Sequence, residues 1–213
     1  MQTIEGIHFP QPVLDHLNAI APTWAQTLID RAWMAYIAME KALNHAVERN
    51  EVKTLLDIGA DAGMIDILLG ATSQFPRLTD IYLLDGDGTS TRLSEKYSAE
   101  QVAWNNVHMG VELVKANVNS NIAVHAVKPD PSLILPQAMD VILSLKSWGH
   151  HYPVEVYLEF VKHNLAATGV VLLDIRENTN GRQVLEANGF KVVELIPDRS
   201  SKCQRMLLKR GQS

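Results

Sequence analysis

The chain has 213 residues, of which 46% are hydrophobic and 20% charged, and its formal net charge is −5. This balance excludes a disordered chain, and the length allows one well-cored domain with an added cap. A protein that mainly binds nucleic acid phosphates is usually basic, so we expect a small-molecule partner and no nucleic acid partner.

The cysteine count and the apolar runs exclude further classes. Cys203 is the only cysteine, which excludes an internal disulfide framework and any site built from several cysteines. The first fifteen residues lack a cationic start followed by an apolar run, and no apolar stretch is long enough to span a bilayer. We therefore expect a cytoplasmic protein without a membrane partner, and its oligomeric state stays open.

The N-terminal part is predicted to be an arm followed by helices. Residues 1–12 contain two prolines and little periodicity, which indicates an arm. Apolar residues recur at helical spacing over 13–20 and again over 24–49. We interpret residues 1–50 as an arm and helical cap, and 51–213 as the domain that carries the sheet.

From residue 51 onward, short apolar runs alternate with segments of helical periodicity. The predicted strands lie at 53–58, 81–84, 122–127, 141–145, 170–175, 191–196 and 205–209, and the predicted helices at 64–70, 99–117, 154–165 and 182–188. This order predicts an α/β fold with a doubly wound, mostly parallel, seven-stranded sheet. The last two strands are joined by a loop alone, so we expect the last strand to be antiparallel.

The first predicted strand ends in a loop of small residues, Asp57-Ile58-Gly59-Ala60-Asp61-Ala62-Gly63. Ligands of open α/β sheets bind outside the carboxyl ends of strands, where such a loop leads into a helix. Gly59 permits a tight turn, and Gly63 lets the helix start close to the sheet. An ordinary strand-to-helix turn that contains glycines is the alternative.

The second predicted strand ends in Asp85-Gly86-Asp87-Gly88. An acid at this place can bind both hydroxyls of a ribose, although Asp-Gly is also ordinary turn chemistry. The two loops together are more specific for a nucleoside-bearing cofactor than either loop alone.

The charges around the first loop discriminate between cofactors. Asp57 and Asp61 would repel the pyrophosphate of NAD, which needs backbone N–H groups and no nearby carboxylate. S-adenosylmethionine carries a ribose, an ammonium and a sulfonium and no phosphate. The acids therefore favour S-adenosylmethionine, and an NAD-linked enzyme is the weaker alternative.

Over residues 52–210 the chain resembles the class I S-adenosylmethionine-dependent methyltransferases, whose first motif reads acid-x-Gly-x-Gly-x-Gly. Asp57, Gly59 and Gly63 match that motif, whereas Asp61 replaces its central glycine. The resemblance implies a seven-stranded sheet with the last strand antiparallel. It also implies cofactor contacts from residues of the first motif and of the later loops: Asp57, Gly59, Asp61, Gly63, Asp85, Gly86, Asp130 and Ser144. For Asp130, a Pro-Asp-Pro turn explains the residue equally well.

The fourth predicted strand leads into Lys146-Ser147-Trp148-Gly149-His150-His151-Tyr152-Pro153. If the methyl acceptor is a hydroxyl, a base must take its proton, and histidine suits neutral pH. His151 is the first candidate for this base and His150 the second. The substrate-binding candidates are Lys146, Trp148 and Tyr152.

A structural role is the alternative for the two histidines. They can simply cap the loop and the start of the next helix, and no third ligand stands at a spacing that indicates a metal. The string Ser-Trp-Gly-x-His-Tyr-Pro resembles one found in bacterial and phage-type methyltransferase-like proteins, some of them sugar-modifying, which implies a small-molecule O-methyltransferase. A methyltransferase fold that binds its ligand without turnover is the main alternative, because Asp61 departs from the motif.

Three aromatic residues of the cap, Trp24, Trp33 and Tyr36, are expected to roof the acceptor pocket. Trp104, in the helix predicted after the second loop, is interpreted as a packing residue rather than as a pocket wall. The basic residues of the C-terminal end are interpreted as a solvated strand face rather than a phosphate site: Arg199, Lys202, Arg205, Lys209 and Arg210.

Overall fold

The computed structural model describes residues 2–4, 6–20, 24–72, 74–86, 106–197 and 202–211. Its strands are β1 Gln2–Ile4, β2 Ile7–Phe9, β3 Thr54–Ile58, β4 Asp80–Leu84, β5 Ala123–Val127, β6 Met139–Ser144, β7 Leu165–Arg176, β8 Phe190–Ile196 and β9 Cys203–Arg210. Its helices are α1 Gln11–Ile20, α2 Trp24–Ala46, α3 Met64–Ala71, α4 Val107–Lys115, α5 Leu158–Asn164 and α6 Gly181–Ala187, and a 3₁₀ turn spans Val154–Val156.

The large sheet has seven strands in the order β5-β4-β3-β6-β7-β9-β8. β9 pairs antiparallel with both β7 and β8, and the other pairings are parallel. The predicted fold, including the antiparallel last strand, is confirmed. Strand order reverses at β3, which lies between β4 and β6, so the carboxyl ends of these three strands border the crevice where open sheets bind ligands.

Side chains of the central strands alternate between two apolar cores, one on each face of the sheet. Leu55 of β3 packs with residues of α1, α2, α3 and α4, and Leu56 packs with residues of α5 and α6. This alternation follows from the two-residue repeat of a strand, and it leaves both faces covered. Asp57 points to the same face as Leu55, toward α3.

The segment predicted to be an N-terminal arm contains two three-residue strands, β1 and β2, that pair antiparallel. Gly6 takes the turn with a φ of 85°, and Phe9 is completely buried. Three-residue strands are too short to show an alternating pattern, so periodicity did not indicate them. The turn at Gly6 was the available signal.

Helix boundaries also differ from the prediction at several ends. α2 ends at Ala46 rather than at residue 49, and the helix predicted over 154–165 is a 3₁₀ turn followed by α5. β7 begins at Leu165, where the prediction still had helix. The first residues of the helix predicted over 99–117 lie outside the described residues, and the described part is α4.

α1 and α2 pack on the same face of the sheet as α3, and their buried residues belong to the same apolar core as β3. The division between a cap of residues 1–50 and a domain of 51–213 stays a prediction. None of the helices in the described part of the chain is long and apolar enough to cross a membrane.

Candidate active site

The loop after β3 is fastened to the end of β4 by backbone hydrogen bonds. Gly59 N donates to Leu84 O at 2.7 Å, and Ala60 N donates to the same oxygen at 3.3 Å. The loop has three positive φ angles, 78° at Gly59, 54° at Asp61 and 69° at Gly63. Glycine adopts this region freely, whereas Asp61 holds it with a side chain, which Asp tolerates better than most residues.

The Asp85 carboxylate braces the same loop from the end of β4. Its Oδ2 accepts a hydrogen bond from Asp61 N and its Oδ1 one from Gly86 N, both at 2.8 Å. A carboxylate has about four acceptor sites, so each oxygen keeps the capacity for one further hydrogen bond. The structure therefore brings Asp85, Asp61 and Gly86 together, and their contact with a cofactor stays a prediction.

Beneath the loop lies a buried pair of carboxyl groups, Asp57 on β3 and Asp66 on α3. Their side chains are 3% and 0% exposed, and neither carboxyl oxygen of Asp66 has a hydrogen-bond partner among the described residues. Burial, helped by the charges of Asp85 and Asp61, raises the pKa of Asp57 to about 7. Burial and the neighbouring Asp57 likewise raise the pKa of Asp66 well above its ordinary value.

Sequence reasoning missed Asp66. The signal was available, because Asp66 is the only charged residue in α3, whose other members are apolar or glycine. A buried acid needs a partner or a proton, and the raised pKa of Asp66, caused by burial and by Asp57, favours its protonated form.

Several carboxylate and amide oxygens at this corner have no donor. Among the described residues, the buried oxygens without a hydrogen-bond partner include Oδ1 of Asp57, Oδ1 of Asp61 and Oδ1 of Asn106. Burial and then the charge of Asp85 raise the pKa of Asp61 to about 7, against smaller lowering effects from the backbone N–H of Ala62 and from Arg31. The carboxyl end of β3 thus has acceptor oxygens that a ligand with hydrogen-bond donors or a positive charge could satisfy.

α1 covers this corner. A pocket between α1, the first loop and α4 is lined by Val13, His16, Leu17, Asp61, Ala62, Asn106, Met109 and Gly110. Asp61 and Asn106, whose Oδ1 atoms lack partners, therefore meet the first helix of the predicted cap.

The aromatic roof predicted from Trp33 and Tyr36 is not formed. Tyr36 is buried, and its hydroxyl lies at 3.3 Å from Oγ1 of Thr72, just beyond the end of α3 at the opposite edge of the sheet. Trp33 contacts Tyr36 edge-on and is 40% exposed. The helix α2 is long enough that only its first turns reach the carboxyl edge, and the Trp24 side chain lies outside the described residues.

Ser144 and Trp148 hold the loop after β6 from inside. Ser144 Oγ donates to Ile58 O and accepts from Trp148 N, both at 2.8 Å, and Trp148 Nε1 donates to Val154 O at 2.7 Å. Both side chains are 0% exposed. Ser144 was predicted to contact the cofactor and Trp148 the substrate. In the structure both side chains lie inside the core, and their polar atoms already have hydrogen-bond partners.

Ser147 is a second residue that sequence reasoning missed. Its carbonyl accepts hydrogen bonds from the N–H groups of His150, His151 and Tyr152, at 3.1, 2.8 and 3.1 Å. Its side chain lies directly over the first loop, because a Cβ added to Gly59 would stand 2.1 Å from Ser147 Oγ. The loops after β3 and β6 are therefore packed against each other.

Burial and nearby positive charges favour the neutral form of both candidate bases. The rings of His150 and His151 meet edge-on with centroids 4.8 Å apart. Partial burial, followed by the charges of His150, Arg176 and Lys146, lowers the pKa of His151 to about 4. Burial and Arg176 also lower the pKa of His150, whose buried Nδ1 has no partner among the described residues. His151 is exposed at the edge of the sheet.

Other predicted residues take structural roles or lie outside the described chain. Asp130 is exposed, and its Oδ1 accepts hydrogen bonds from Ser132 N and Oγ, at 2.9 and 2.7 Å, as a turn residue does. A contact between Asp130 and adenine stays a prediction. Asp87, Trp104 and Arg199 are outside the described residues.

The C-terminal basic residues do not form one solvated face, which corrects the prediction. Arg205 is buried and makes two hydrogen bonds to the Asp174 carboxylate, at 2.8 and 3.0 Å. Arg210 donates to the carbonyl oxygens of Lys162 and Leu165. Register places Arg205 directly opposite Asp174 in the β7–β9 pair, which the sequence pattern did not reveal.

Comparisons with known proteins show the fold. Neither the models of protein families nor the curated proteins include a match to this sequence. Among solved structures, a ribosomal protein L11 methylase from Lactobacillus delbrueckii subsp. bulgaricus aligns with a TM-score of 0.55 and 14% identity, over 84% of this chain and 79% of that chain. A S-adenosylmethionine-dependent methyltransferase from Clostridium acetobutylicum ATCC 824 aligns with a TM-score of 0.54 and 11% identity, over 85% and 92%.

A third similar structure corrects one expectation. TrmK, the M1A22 tRNA methyltransferase of B. subtilis, aligns with a TM-score of 0.52 and 12% identity, over 81% of this chain and 65% of that chain. The expectation of no nucleic acid partner is wrong as an exclusion, because a protein with this fold acts on tRNA. Net charge averages the whole surface, whereas phosphates are bound by a local patch.

Proposed function

We propose that this chain is an S-adenosylmethionine-dependent methyltransferase. The observation that carries the proposal is the pair of unpartnered oxygens, Oδ1 of Asp57 and Oδ1 of Asp61, at the carboxyl end of β3. A buried carboxylate without a donor is costly, so its presence at the ligand-binding edge favours a positively charged ligand.

The residues present fit that cofactor. The acids Asp57 and Asp61 match the positive charges of its ammonium and sulfonium groups, and Asp85 keeps acceptor capacity for ribose hydroxyls. The same three carboxylates would repel the pyrophosphate of NAD. When bound, the cofactor supplies a methyl group that its sulfonium charge activates for transfer.

The acceptor is proposed to be a hydroxyl of a small molecule, such as a sugar, that lies beside the loop after β6. His151 is exposed there and neutral at pH 7, so it can take the proton of the hydroxyl. Tyr152 and Lys146 are proposed to orient the acceptor. The likeness to TrmK adds RNA to the acceptors that need testing.

Calorimetric titration with S-adenosylhomocysteine tests the cofactor without knowledge of the acceptor. We expect binding to the wild type, no binding of NADH, and about tenfold weaker binding to Asp61→Asn, since one matched charge is worth about 1.4 kcal/mol. Asp30→Asn removes an exposed charge from α2 and is the matched control. Absence of S-adenosylhomocysteine binding to the wild type would reject the proposal, and tight NADH binding would replace it.

Transfer of a radiolabelled methyl group to a panel of sugars, other hydroxyl compounds and tRNA tests the base. His151→Ala is expected to lower kcat by about 10²-fold or more with unchanged S-adenosylhomocysteine affinity, as loss of a general base does. An equal loss of both quantities would show that His151 supports the fold of the loop. Binding without transfer to any acceptor would favour the alternative of a ligand-binding protein without turnover.

A further inference from the structure

Two positive side chains stand at the carboxyl ends of β6 and β7, on the acceptor side of the candidate site. Lys146 follows the last residue of β6 by two positions, and Arg176 is the last residue of β7. β6 and β7 are parallel neighbours, with Ser144 opposite Leu173. Arg176 N donates to Gly149 O at 3.0 Å, so the end of β7 adjoins the loop that carries Lys146 and both histidines.

The positions of these cations relative to the histidines are fixed by the fold. The charges of Lys146 and Arg176 act on both His150 and His151, which places all four groups within electrostatic reach of one another. Lys146 holds a φ of 60°, a conformation that a residue with a side chain adopts when the surrounding loop imposes it. The loop in turn is held by Ser144 and Trp148 from the core.

The nearest acid on β7 is engaged elsewhere. Asp174, the carboxylate nearest along β7, is bound to Arg205 by two hydrogen bonds. Glu177, an exposed acid, follows Arg176, and its backbone N–H donates to Lys202 O. Within the described ranges, neither Lys146 nor Arg176 has a carboxylate oxygen within 4.0 Å, whereas Arg182 and Lys162 do.

The two sides of the crevice thus carry opposite charge. Around β3 and β4 lie the acids Asp57, Asp61 and Asp85, and around β6 and β7 lie Lys146 and Arg176. We propose that Lys146 and Arg176 bind an oxyanion of the methyl acceptor, a phosphate or a carboxylate, beside His151. This inference rests on the proposed function and names its substrate class: the acceptor is anionic. Arginine and lysine are the side chains that recognise such oxygens.

Anion binding has a consequence for the base. Lys146 and Arg176 help to keep the pKa of His151 low, which makes its imidazole a weak proton acceptor. A bound oxyanion opposes those charges and raises the pKa of His151 toward its ordinary value. His151 therefore gains basicity when the acceptor is in place, and it stays a poor base toward water when the acceptor is absent.

The test follows the histidine signals by NMR in protein with ¹³C-labelled histidine, at constant ionic strength adjusted with sodium chloride. The probes are sodium phosphate, sodium acetate, adenosine 5′-monophosphate and a short RNA hairpin. We expect a saturable shift of the His150 and His151 signals with at least one probe, together with a higher pKa of His151.

The variant Lys146→Gln/Arg176→Gln is expected to lose at least tenfold in affinity for that probe and to show a higher pKa of His151 without any anion. The control Arg77→Gln/Lys191→Gln changes two exposed cations away from this loop by the same charge and is expected to keep the wild-type response. S-adenosylhomocysteine affinity is expected to be equal in all three proteins, because the cofactor residues are untouched.

The outcomes separate the two proposals and the sources of the anion. Saturation by phosphate, acetate or the nucleotide supports a small anionic acceptor, and a response to RNA alone, weakened by salt, supports an RNA acceptor. No saturable response to any probe, or an equal response in the Lys146→Gln/Arg176→Gln variant, overturns the inference. Failure of S-adenosylhomocysteine to bind would reject the proposed function. The anion site would then be judged from the histidine titrations alone.

Discussion

At Asp61 both the backbone conformation and the environment of the side chain are energetically unfavourable. Its φ is 54° and its Oδ1 has no donor among the described residues. A left-handed conformation costs a residue with a side chain about 1–2 kcal/mol, and an unpartnered buried oxygen costs a similar amount. Glycine would avoid both costs, so the aspartate is better explained by a ligand than by the stability of the loop.

Asp61→Gly is therefore expected to raise the free energy of unfolding by about 1 kcal/mol while it weakens S-adenosylhomocysteine binding by about tenfold. Urea denaturation and calorimetry measure the two quantities. Asn178→Gly is the control, since Asn178 also has a φ of 60° but lies in an exposed turn. It is expected to leave binding unchanged. Wild-type affinity in Asp61→Gly would remove Asp61 from the proposed site.

At the scale of elements, the site depends on contact between the loops after β3 and β6. Gly59 has a φ of 78°, and the Ser147 side chain occupies the space where its Cβ would stand. Two constraints therefore select glycine here, one from the backbone of the first loop and one from the second loop. The backbone constraint can be inferred from the sequence motif. The steric constraint from Ser147 can be recognised only once β3 is known to pair with β6.

A double substitution separates these constraints. Gly59→Ala is expected to destabilise the protein by about 2–4 kcal/mol, because it adds both backbone strain and a steric clash. Ser147→Gly on the Gly59→Ala background removes the clash and is expected to leave about 1–2 kcal/mol of strain. Ser147→Gly alone is the control, and thermal or urea unfolding is the measurement. Lack of any recovery in the double variant would contradict the observed contact.

Across the whole molecule, the acidic corner makes stability and ligand binding depend on pH in opposite directions. The pKa of Asp57 and that of Asp61 rise to about 7 in the folded chain, from an ordinary value of 3.8. A group with a raised pKa keeps its proton more tightly when folded, so its contribution is fully present below about pH 4 and is lost as pH rises toward 7.

The free energy of unfolding of the ligand-free protein is accordingly expected to fall between about pH 4 and pH 7. The substitution Asp57→Asn is expected to reduce the slope of this free energy against pH by up to about 1.4 kcal/mol per pH unit. The ammonium group of S-adenosylhomocysteine prefers the ionised acids, so the affinity for this ligand is expected to rise over the same range. Urea denaturation and calorimetry at several pH values measure both, with Asp30→Asn as the control. Equal slopes in Asp57→Asn and the wild type would contradict the raised pKa of Asp57.

The sequence by itself determined the order along the chain of the strands and helices of the α/β domain, and it determined that the last strand runs antiparallel. It also determined the two loops that bring Asp57, Asp61 and Asp85 to one edge. These features follow from local patterns: apolar periodicity, glycines at turns, and acids at the ends of strands. The three-residue strands β1 and β2 were not predicted because they are shorter than any such pattern.

Only the tertiary structure decided which polar side chains face the crevice. It placed Ser144 and Trp148 in the core, Tyr36 at the far edge and Arg205 against Asp174. It also brought Asp66 close to Asp57, and both Lys146 and Arg176 within electrostatic reach of His151. The physical reason is that burial and electrostatic partnership depend on contacts between elements distant in the chain. A sequence pattern records the period of one element, whereas the register and packing of neighbouring elements determine what its polar residues meet.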